Sequence, residues 1–425
     1  MTRIGFAYNE KPVTSALRDD DDVDDVRPEE EPPSTRRDDS SRLSASPALR
    51  SSERAGLSVA VAAAGALLPT SDEYAEWDSP ETIAAVERSL SALGDVVRLE
   101  ADGSFPEALR EARPDIVFNM AEGLYGVNRE AHVPAICEFF GVPYSGSDPF
   151  TLSLCLDKAR TKEVLSHHGV PTAAFALVSR IADLPALLAR VVPAGAERRA
   201  ADRRSSGAER PLRFPLFVKP VHEGSSKGIT ERNYCRTPAD LEAQVAFLLE
   251  SYAQPVLVEE YLPGAEFTCA VLGNGDTARV LPIVGMNFGA LPSGALPVYG
   301  YEAKWLWDRP EQPLRIFDCP ASIAETLRQE IEDVTLRAYH VLGCRDWSRI
   351  DVRLDGKGIP NVVEVNPLPG ILPNPEDNSC FPKAARAAGI GYEELIQTCL
   401  GLAADRQRVH LPRWSRADDR MAVSQ

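Results

Sequence analysis

Two short segments near the C-terminus, Arg349-Ile350-Asp351-Val352 and Glu364-Val365-Asn366, confine this chain to folds that hold an antiparallel strand pair with acids on one face. Side chains alternate across a strand, so Arg349 and Asp351 share a face of the first segment, and Glu364 and Asn366 share a face of the second. Between them runs Leu354-Asp355-Gly356-Lys357-Gly358, rich in residues that let such a pair reverse. Asp351, Glu364 and Asn366 can therefore converge beside one cation. Hard oxygen ligands, few in number and leaving positions open for phosphates, suit Mg²⁺ at a nucleotide better than zinc. The same alternation also describes the solvated face of a surface hairpin, and this segment alone does not choose between the two.

Further upstream, Leu216-Phe217-Val218-Lys219-Pro220 reads as an apolar strand ending in lysine, and Glu223-Gly224-Ser225-Ser226-Lys227-Gly228-Ile229 follows at once. Small residues let a backbone turn and present successive N–H groups to phosphate oxygens. This is not a Walker A loop: the Gly-Lys-Ser/Thr ending is missing, and the lysine precedes the loop on a strand. A third segment, Val256-Leu257-Val258-Glu259-Glu260-Tyr261-Leu262-Pro263-Gly264, reads as a buried strand entering a hinge, with Glu266 just beyond. Free backbone groups of a hinge suit a purine, and an acid beyond it can accept from ribose hydroxyls. In this order, lysine strand, small-residue loop, hinge with acid and paired acidic strands describe an ATP site.

These segments resemble the D-alanine:D-alanine ligase family of the ATP-grasp superfamily, over roughly residues 141 to 402. The matching runs are Pro143-Tyr144-Ser145-Gly146-Ser147, Asp157-Lys158, Val218-Lys219-Pro220, Glu223-Gly224-Ser225-Ser226, Glu266-Phe267-Thr268, Tyr301-Glu302-Ala303-Lys304, Gly343-Cys344 through Val352, and Glu364-Val365-Asn366 with Pro369-Gly370. The resemblance implies that Lys158, Lys219 and Lys304 contact the ATP phosphates and that Glu223, Gly224, Ser225 and Ser226 close over them. It implies that Glu259, Glu260, Tyr261 and Leu262 hold adenine and Glu266 the ribose. Asp351, Glu364 and Asn366 would carry two Mg²⁺ (or Mn²⁺) ions, with Arg349, Ser225 and Lys304 in catalysis.

The implied fold is ATP-grasp, mixing α/β and α+β. It comprises an N-terminal Rossmann-like domain at 1–152, a small central α+β domain at 153–262, a C-terminal α+β domain at 263–403 with the metal strands, and a polar tail at 404–425. The implied activity is peptide-bond formation between two amino acids, D-alanine foremost, through an acylphosphate. A ligase joining other amino acids or a peptide is the rival, and a nucleotide-binding protein without catalysis the remaining class. From Asn287 to Trp307, glycines and the aromatic Tyr299, Tyr301, Trp305 and Trp307 suit a lid that keeps water from the acylphosphate, although ordinary core packing is the simpler reading of Trp307.

The N-terminal third departs from the family pattern. Arg3-Ile4-Gly5-Phe6-Ala7-Tyr8 reads as a strand, yet a helical pattern resumes only at Ser79-Pro80, where Ile83, Val86, Leu90 and Leu93 share a face. The intervening stretch, residues 13–70, is acidic and proline-rich and reads as a mostly disordered insertion, with an apolar patch from Ala55 to Leu68. Residues 194–213 read as a second surface insertion. The family's Gly-Gly-x-Ser-x-Glu run after the first strand is replaced by Tyr8-Asn9-Glu10-Lys11-Pro12. Glu122 stands where histidine is expected, which makes Glu122, Asn128, Arg129 and Glu130 candidates for the first amino acid. After Gly370, Asn374 to Pro382 is longer and more acidic than the family's run, and Ser379 best matches the serine that holds the acceptor carboxylate.

A net charge of −17 argues against nucleic acid and anionic membranes as partners. Eight cysteines without Cys-x-x-Cys pairing fit reduced thiols in a cytoplasmic protein. His222, abutting the phosphate loop, is a candidate nucleotide contact, and a homodimer follows from family analogy alone.

Overall fold

The computed structural model describes residues 2–12, 74, 76–123, 125–192, 211–300, 302–307, 314–412 and 414. The expectations for 13–70, for its apolar patch, for most of 194–213 and for the end of the tail lie outside these residues.

Three sheets organise the chain. In the first, β1 (Arg3–Tyr8) lies between β2 (Asp95–Glu100) and β3 (Ile116–Asn119), parallel to both. From Ile4 to Tyr8 every residue of β1 is buried, as a parallel strand covered on both faces requires. Helix α1 (Pro80–Ser91) begins as its sequence dictates: Ser79 accepts from the Thr82 N–H, and Pro80 occupies the first turn. Its Ile83, Val86 and Leu90 pack against Ile4 and Phe6. Helices α2 (Phe105–Ala112) and α3 (His132–Phe140) follow, the latter closed by Gly141 at φ +68°. Then come α4 (Pro149–Leu156) and α5 (Lys158–His167), between which Asp157 accepts from the N–H groups of Ala159 and Arg160. That cap sets Lys158 in the first turn of α5.

The second sheet is antiparallel, ordered β4-β7-β5-β6: β4 (Phe175–Val178), β5 (Leu216–Pro220), β6 (Tyr234–Cys235) and β7 (Val256–Glu260). Beside it lie α6 (Leu184–Leu188) and α7 (Pro238–Tyr252), whose Leu241, Val245 and Leu248 bury Leu216, Val218, Val256 and Val258. A capping box between Thr237 and Asp240 starts α7.

The third sheet runs β11-β10-β8-β12-β13, with β9 on β8. Its strands are β8 (Glu266–Leu272), β9 (Arg279–Val280), β10 (Val284–Met286), β11 (Phe317–Asp318), β12 (Trp347–Leu354) and β13 (Pro360–Asn366). One face is covered by α8 (Glu325–Val341), through Ile331, Val334, Ala338 and Tyr339 against Cys269, Ile350 and Val352. The other carries α9 (Cys380–Ala387) and α10 (Tyr392–Gln407), packed with Ala270, Leu272 and Trp347. Fully buried Trp347 lies 5.9 Å from the Phe118 ring and 5.5 Å from that of Phe381, which ties the first sheet to the third.

Strand β12 is not the free face of a surface hairpin. It pairs with β13, placing Asp351 opposite Glu364 and Arg349 opposite Asn366, and on its other side with β8, placing Asp351 opposite Thr268. A bulge between Asp351 and Val352 locally re-aims the ladder beside these acids.

Candidate active site

At the acidic strands, Asp351 accepts from Thr268 Oγ1 at 3.0 Å and from Arg349 Nη2 at 3.0 Å, while Asn366 Nδ2 stands 3.4 Å away. Glu364 Oε1 lies 2.8 Å from Lys158 Nζ. Burial raises the Asp351 carboxyl, Arg349 opposes it and Glu364 adds repulsion. Burial would raise Glu364 too, but Lys158 and then Lys219 outweigh it and hold it at about 2. Two adjacent carboxylates and an amide oxygen, with other positions open, fit a hard divalent cation. Among the described residues no cluster of three or more His, Cys, Asp or Glu could hold a metal, so any metal here depends on the asparagine or on outside ligands.

Lys219 Nζ is 2.8 Å from Glu259 Oε1, and Lys162 Nζ is 2.8 Å from Glu259 Oε2. Burial pushes Glu259 up, yet Lys162 and Lys219 hold it at about 2. The Glu259 side chain, expected among the adenine contacts, is thus spent on orienting two lysines. Of the hinge, the N–H groups of Glu260 and Tyr261 bond to Ala174 and Pro215 carbonyls, whereas the Leu262 backbone has no partner among the described residues. Glu266 Oε2 is 2.7 Å from Arg353 Nη1; Arg353 also donates to the Tyr261 hydroxyl at 2.8 Å and the Pro297 carbonyl at 2.9 Å. Its guanidinium lies 4.9 Å from the Tyr261 ring centroid and 5.4 Å from that of Phe288.

The small-residue loop is bent as a phosphate cradle would be. Ser225 and Ser226 take φ of +49° and +63°, and Gly228 takes +71°. Asn233 Nδ2 pins the loop to its strand by donating to the carbonyls of Gly228 and Val218, at 2.7 and 2.6 Å. The lid segment meets it: Ser226 Oγ donates to the Tyr299 carbonyl at 3.1 Å, and the Tyr299 and Phe317 rings lie 5.5 Å apart. Trp307 packs half-buried on the main core, as ordinary packing predicted. Lys304 sits in a π-helical turn, Glu302–Trp307, where burial and then Arg349 push its ammonium down to about 8.

A cleft of about 140 Å³ is lined by Lys158, Lys219, Glu223, Gly224, Ser226, Glu259, Glu260, Tyr261, Leu262, Glu266 and Glu364. A cavity of about 310 Å³ is lined by Glu122, Lys158, Ser225, Lys304, Arg349, Asp351, Glu364, Asn366, Gly370 and Ser379, among others. Lys158, Gly224, Ser226, Glu266 and Glu364 line both spaces. Apart from Asn128, Arg129 and His222, the residues singled out from the sequence for nucleotide, metal or amino acid face one of two adjoining spaces.

Some expectations need correcting in detail. Ser379 Oγ donates to the Gly370 carbonyl and accepts from Leu372 N, both at 3.2 Å, so its hydroxyl is committed to its own loop. His222 does not line the cleft; its Nε2 lies 3.5 Å from Asp157 Oδ2. Arg129 is taken by Glu76 at 3.0 Å and by the His222 carbonyl at 3.0 Å. Glu76 went unnoticed in the sequence. Its carboxylate accepts from Gly224 N at 2.8 Å and lies 3.1 Å from Lys227 Nζ, clasping the phosphate loop from just ahead of α1. Glu76 lies beyond the long stretch that follows β1, and proximity to the Ser79-Pro80 helix start was the available signal.

Two sheets flanking a cleft that carries paired lysines, a serine-glycine loop and acidic strands define an ATP-grasp protein. A family profile described as "D-ala D-ala ligase C-terminus" matches residues 180–401. The D-alanine--D-alanine ligase of Bordetella petrii is 35% identical over 304 residues, covering 70% of this chain and 78% of that protein. The uncharacterized protein y4sG of Sinorhizobium fredii is 36% identical over 291 residues, covering 68% and 75%. A crystal structure of D-alanine--D-alanine ligase from Bacillus anthracis complexed with ATP shares the fold, with a TM-score of 0.55 at 21% identity over 77% of this chain and 92% of that one. The chain belongs to the D-alanine--D-alanine ligase family. No helix among the described residues is long and apolar enough to cross a membrane.

Proposed function

We propose that this chain is an ATP-dependent ligase that joins two amino acids by the D-alanine:D-alanine ligase reaction, D-alanine being the amino acid to which family membership points. The observation that carries this reading is the pair of adjoining spaces: Lys158 and Lys219 line the first, Arg349 lines the second, and the two meet at Gly224 and Ser226.

A carboxylate is a poor electrophile, so the γ-phosphoryl of ATP first moves onto the carboxylate of one amino acid. Lys158 and Lys219 exchange their carboxylate partners for phosphate oxygens, and Lys304 adds charge from the lid. Asp351, Glu364 and Asn366 would hold Mg²⁺ or Mn²⁺, which supplies further neutralisation of the transferring oxygens when bound. The amine of the second amino acid then attacks the acylphosphate. Arg349 and the N–H groups around Ser225 stabilise the oxyanion, phosphate leaves and an amide remains. Closure of Tyr299 over Ser226 keeps water from the intermediate. Glu266 accepts from the ribose, steadied by Arg353.

Phosphate release and product mass, measured with Mg-ATP and a panel of D- and L-amino acids, test this reading. Amino-acid-dependent release with a dipeptide product is expected. Tight ATP binding without turnover on any member would move the chain to the class of non-catalytic nucleotide binders.

A further inference from the structure

One carboxylate from outside the phosphate loop grips the loop's tightest turn at both ends. Lys227 N donates to the Gly224 carbonyl at 2.9 Å and closes a four-residue turn whose central residues, Ser225 and Ser226, both have positive φ. Such positions ordinarily call for glycine or asparagine, and serines stay in them only where the surroundings over-determine the backbone. Glu76 supplies that constraint. Its Oε1 accepts from Gly224 N at 2.8 Å, at the first residue of the turn, and its Oε2 lies 3.1 Å from Lys227 Nζ, at the last. A Cβ on Gly224 would run into Glu76 Oε1, so this close approach requires glycine.

Arg129 fixes the clamp from the other side. Its Nη2 donates to both oxygens of Glu76 at 3.0 Å, and its Nη1 donates at 3.0 Å to the carbonyl of His222, two residues before the turn. Burial opposes a charge on Glu76, but Arg129 and then Lys227 outweigh it and hold the carboxyl below its usual range. Among the described residues the N–H groups of Ser225 and Ser226 make no hydrogen bond, and both serines line the larger cavity together with Arg349. We propose that Glu76 is a positioning residue: by clamping both ends of the turn against Arg129, it keeps the Ser225 and Ser226 N–H groups set for the oxygens that gain charge during transfer. This rests on the ligase reading above and deepens it. Lys158, Lys219 and Glu266 take their ion pairs from Glu364, Glu259 and Arg353 rather than from Glu76, so loss of the clamp falls on turnover more than on ATP binding.

The test is kcat per ATP site, from phosphate release with Mg-ATP and an amino acid that supports turnover, normalised to the stoichiometry of calorimetric titration with a non-hydrolysable ATP analogue. Glu76→Gln removes the charge and keeps the size. Its kcat per site is expected to fall at least about tenfold, the scale of a lost charge-assisted hydrogen bond, with KM for ATP within about threefold of the parent's. Lys227→Met should lower kcat in the same sense, and the double variant should be no slower than Glu76→Gln alone, because the two side chains act as one clamp. A merely structural role would reduce the number of ATP sites and the unfolding temperature and leave kcat per site unchanged. Three results overturn the inference and leave the ligase reading standing: kcat per site within about twofold of the parent's, a loss borne by KM for ATP instead, or additive losses in the double variant. Should Glu76→Gln fail to fold, Lys227→Met alone decides, and its kcat per site within about twofold of the parent's overturns the inference. Absence of turnover by the parent with every amino acid overturns both.

Discussion

Lys158 Nζ lies 2.8 Å from Glu364 Oε1, which joins the first turn of α5 to the strand that carries the acidic pair. Lys219 and Glu259 stand in the same relation, also at 2.8 Å. Both lysines line the cleft, so each carboxylate holds in place a cation that ATP phosphates can take over. Replacing Lys158 or Lys219 by Met is expected to raise KM for ATP at least about tenfold, since a charge-assisted contact contributes roughly 1.5–3 kcal/mol. Steady-state phosphate release at varied ATP measures this.

Asp351→Ala removes one of the two carboxylates from the acidic strands and frees Arg349 from its partner. Turnover at saturating ATP is expected to fall at least about a hundredfold, the scale of losing one electrostatic element of a phosphoryl or acyl transfer site. Unchanged turnover would exclude Asp351 from the site.

Lys162 is 2% exposed and shares Glu259 with Lys219. It does not line the cleft, so its task is to hold Glu259. Lys162→Met is expected to destabilise the fold by about 3–5 kcal/mol, the usual cost of breaking a buried pair. Urea unfolding monitored by circular dichroism checks it, and a change below about 1 kcal/mol contradicts the assignment.

Gly228 sits at φ +71°, and a Cβ there would lie 2.7 Å from Pro220 Cγ. Gly228→Ala is expected to cost about 1–2 kcal/mol from the left-handed backbone alone and to raise KM for ATP by distorting the cradle. A parallel Gly103→Ala variant, where a Cβ would meet nothing within 4 Å, serves as the comparison.

The pH dependence of stability follows from carboxyls moved in opposite directions. Burial raises Asp78 to about 7 despite Lys11, and burial raises Glu130 to about 7. A folded state that binds protons more tightly than the unfolded chain is favoured at low pH, so this contribution is lost as pH rises from about 4 through 7. Glu259 and Glu364, held at about 2, act only below that window, where their contribution is lost as pH falls. Stability is therefore expected to decline between about pH 5 and pH 8, and Asp78→Asn should flatten the decline in denaturation measured at both ends.

Periodicity and turn chemistry made the nucleotide end legible. Alternation placed Arg349, Asp351, Glu364 and Asn366 on one polar face, and β12 and β13 pair in that register. The Ser79-Pro80 start of α1 was equally plain, because capping is local. What escaped was set by distant packing. Glu76 reaches the phosphate loop across 148 residues, and no local pattern announces such a contact. Arg353 lies only two residues beyond Asp351 on the same strand, yet its purpose depends on Glu266, Tyr261 and Pro297, which only the folded sheet brings together. The side-chain partners of Glu259 escaped for a related reason: nothing local to a strand-end acid beside a hinge announces the lysines from α5 and β5 that lie on either side of it.

The most direct test of the ligase account follows the oxygen atoms. With an amino acid that supports phosphate release, its carboxylate labelled with ¹⁸O, an acylphosphate route transfers one labelled oxygen into each phosphate released as the amide forms. Phosphate carrying one ¹⁸O is the predicted result; fully unlabelled phosphate alongside a dipeptide product would contradict the account.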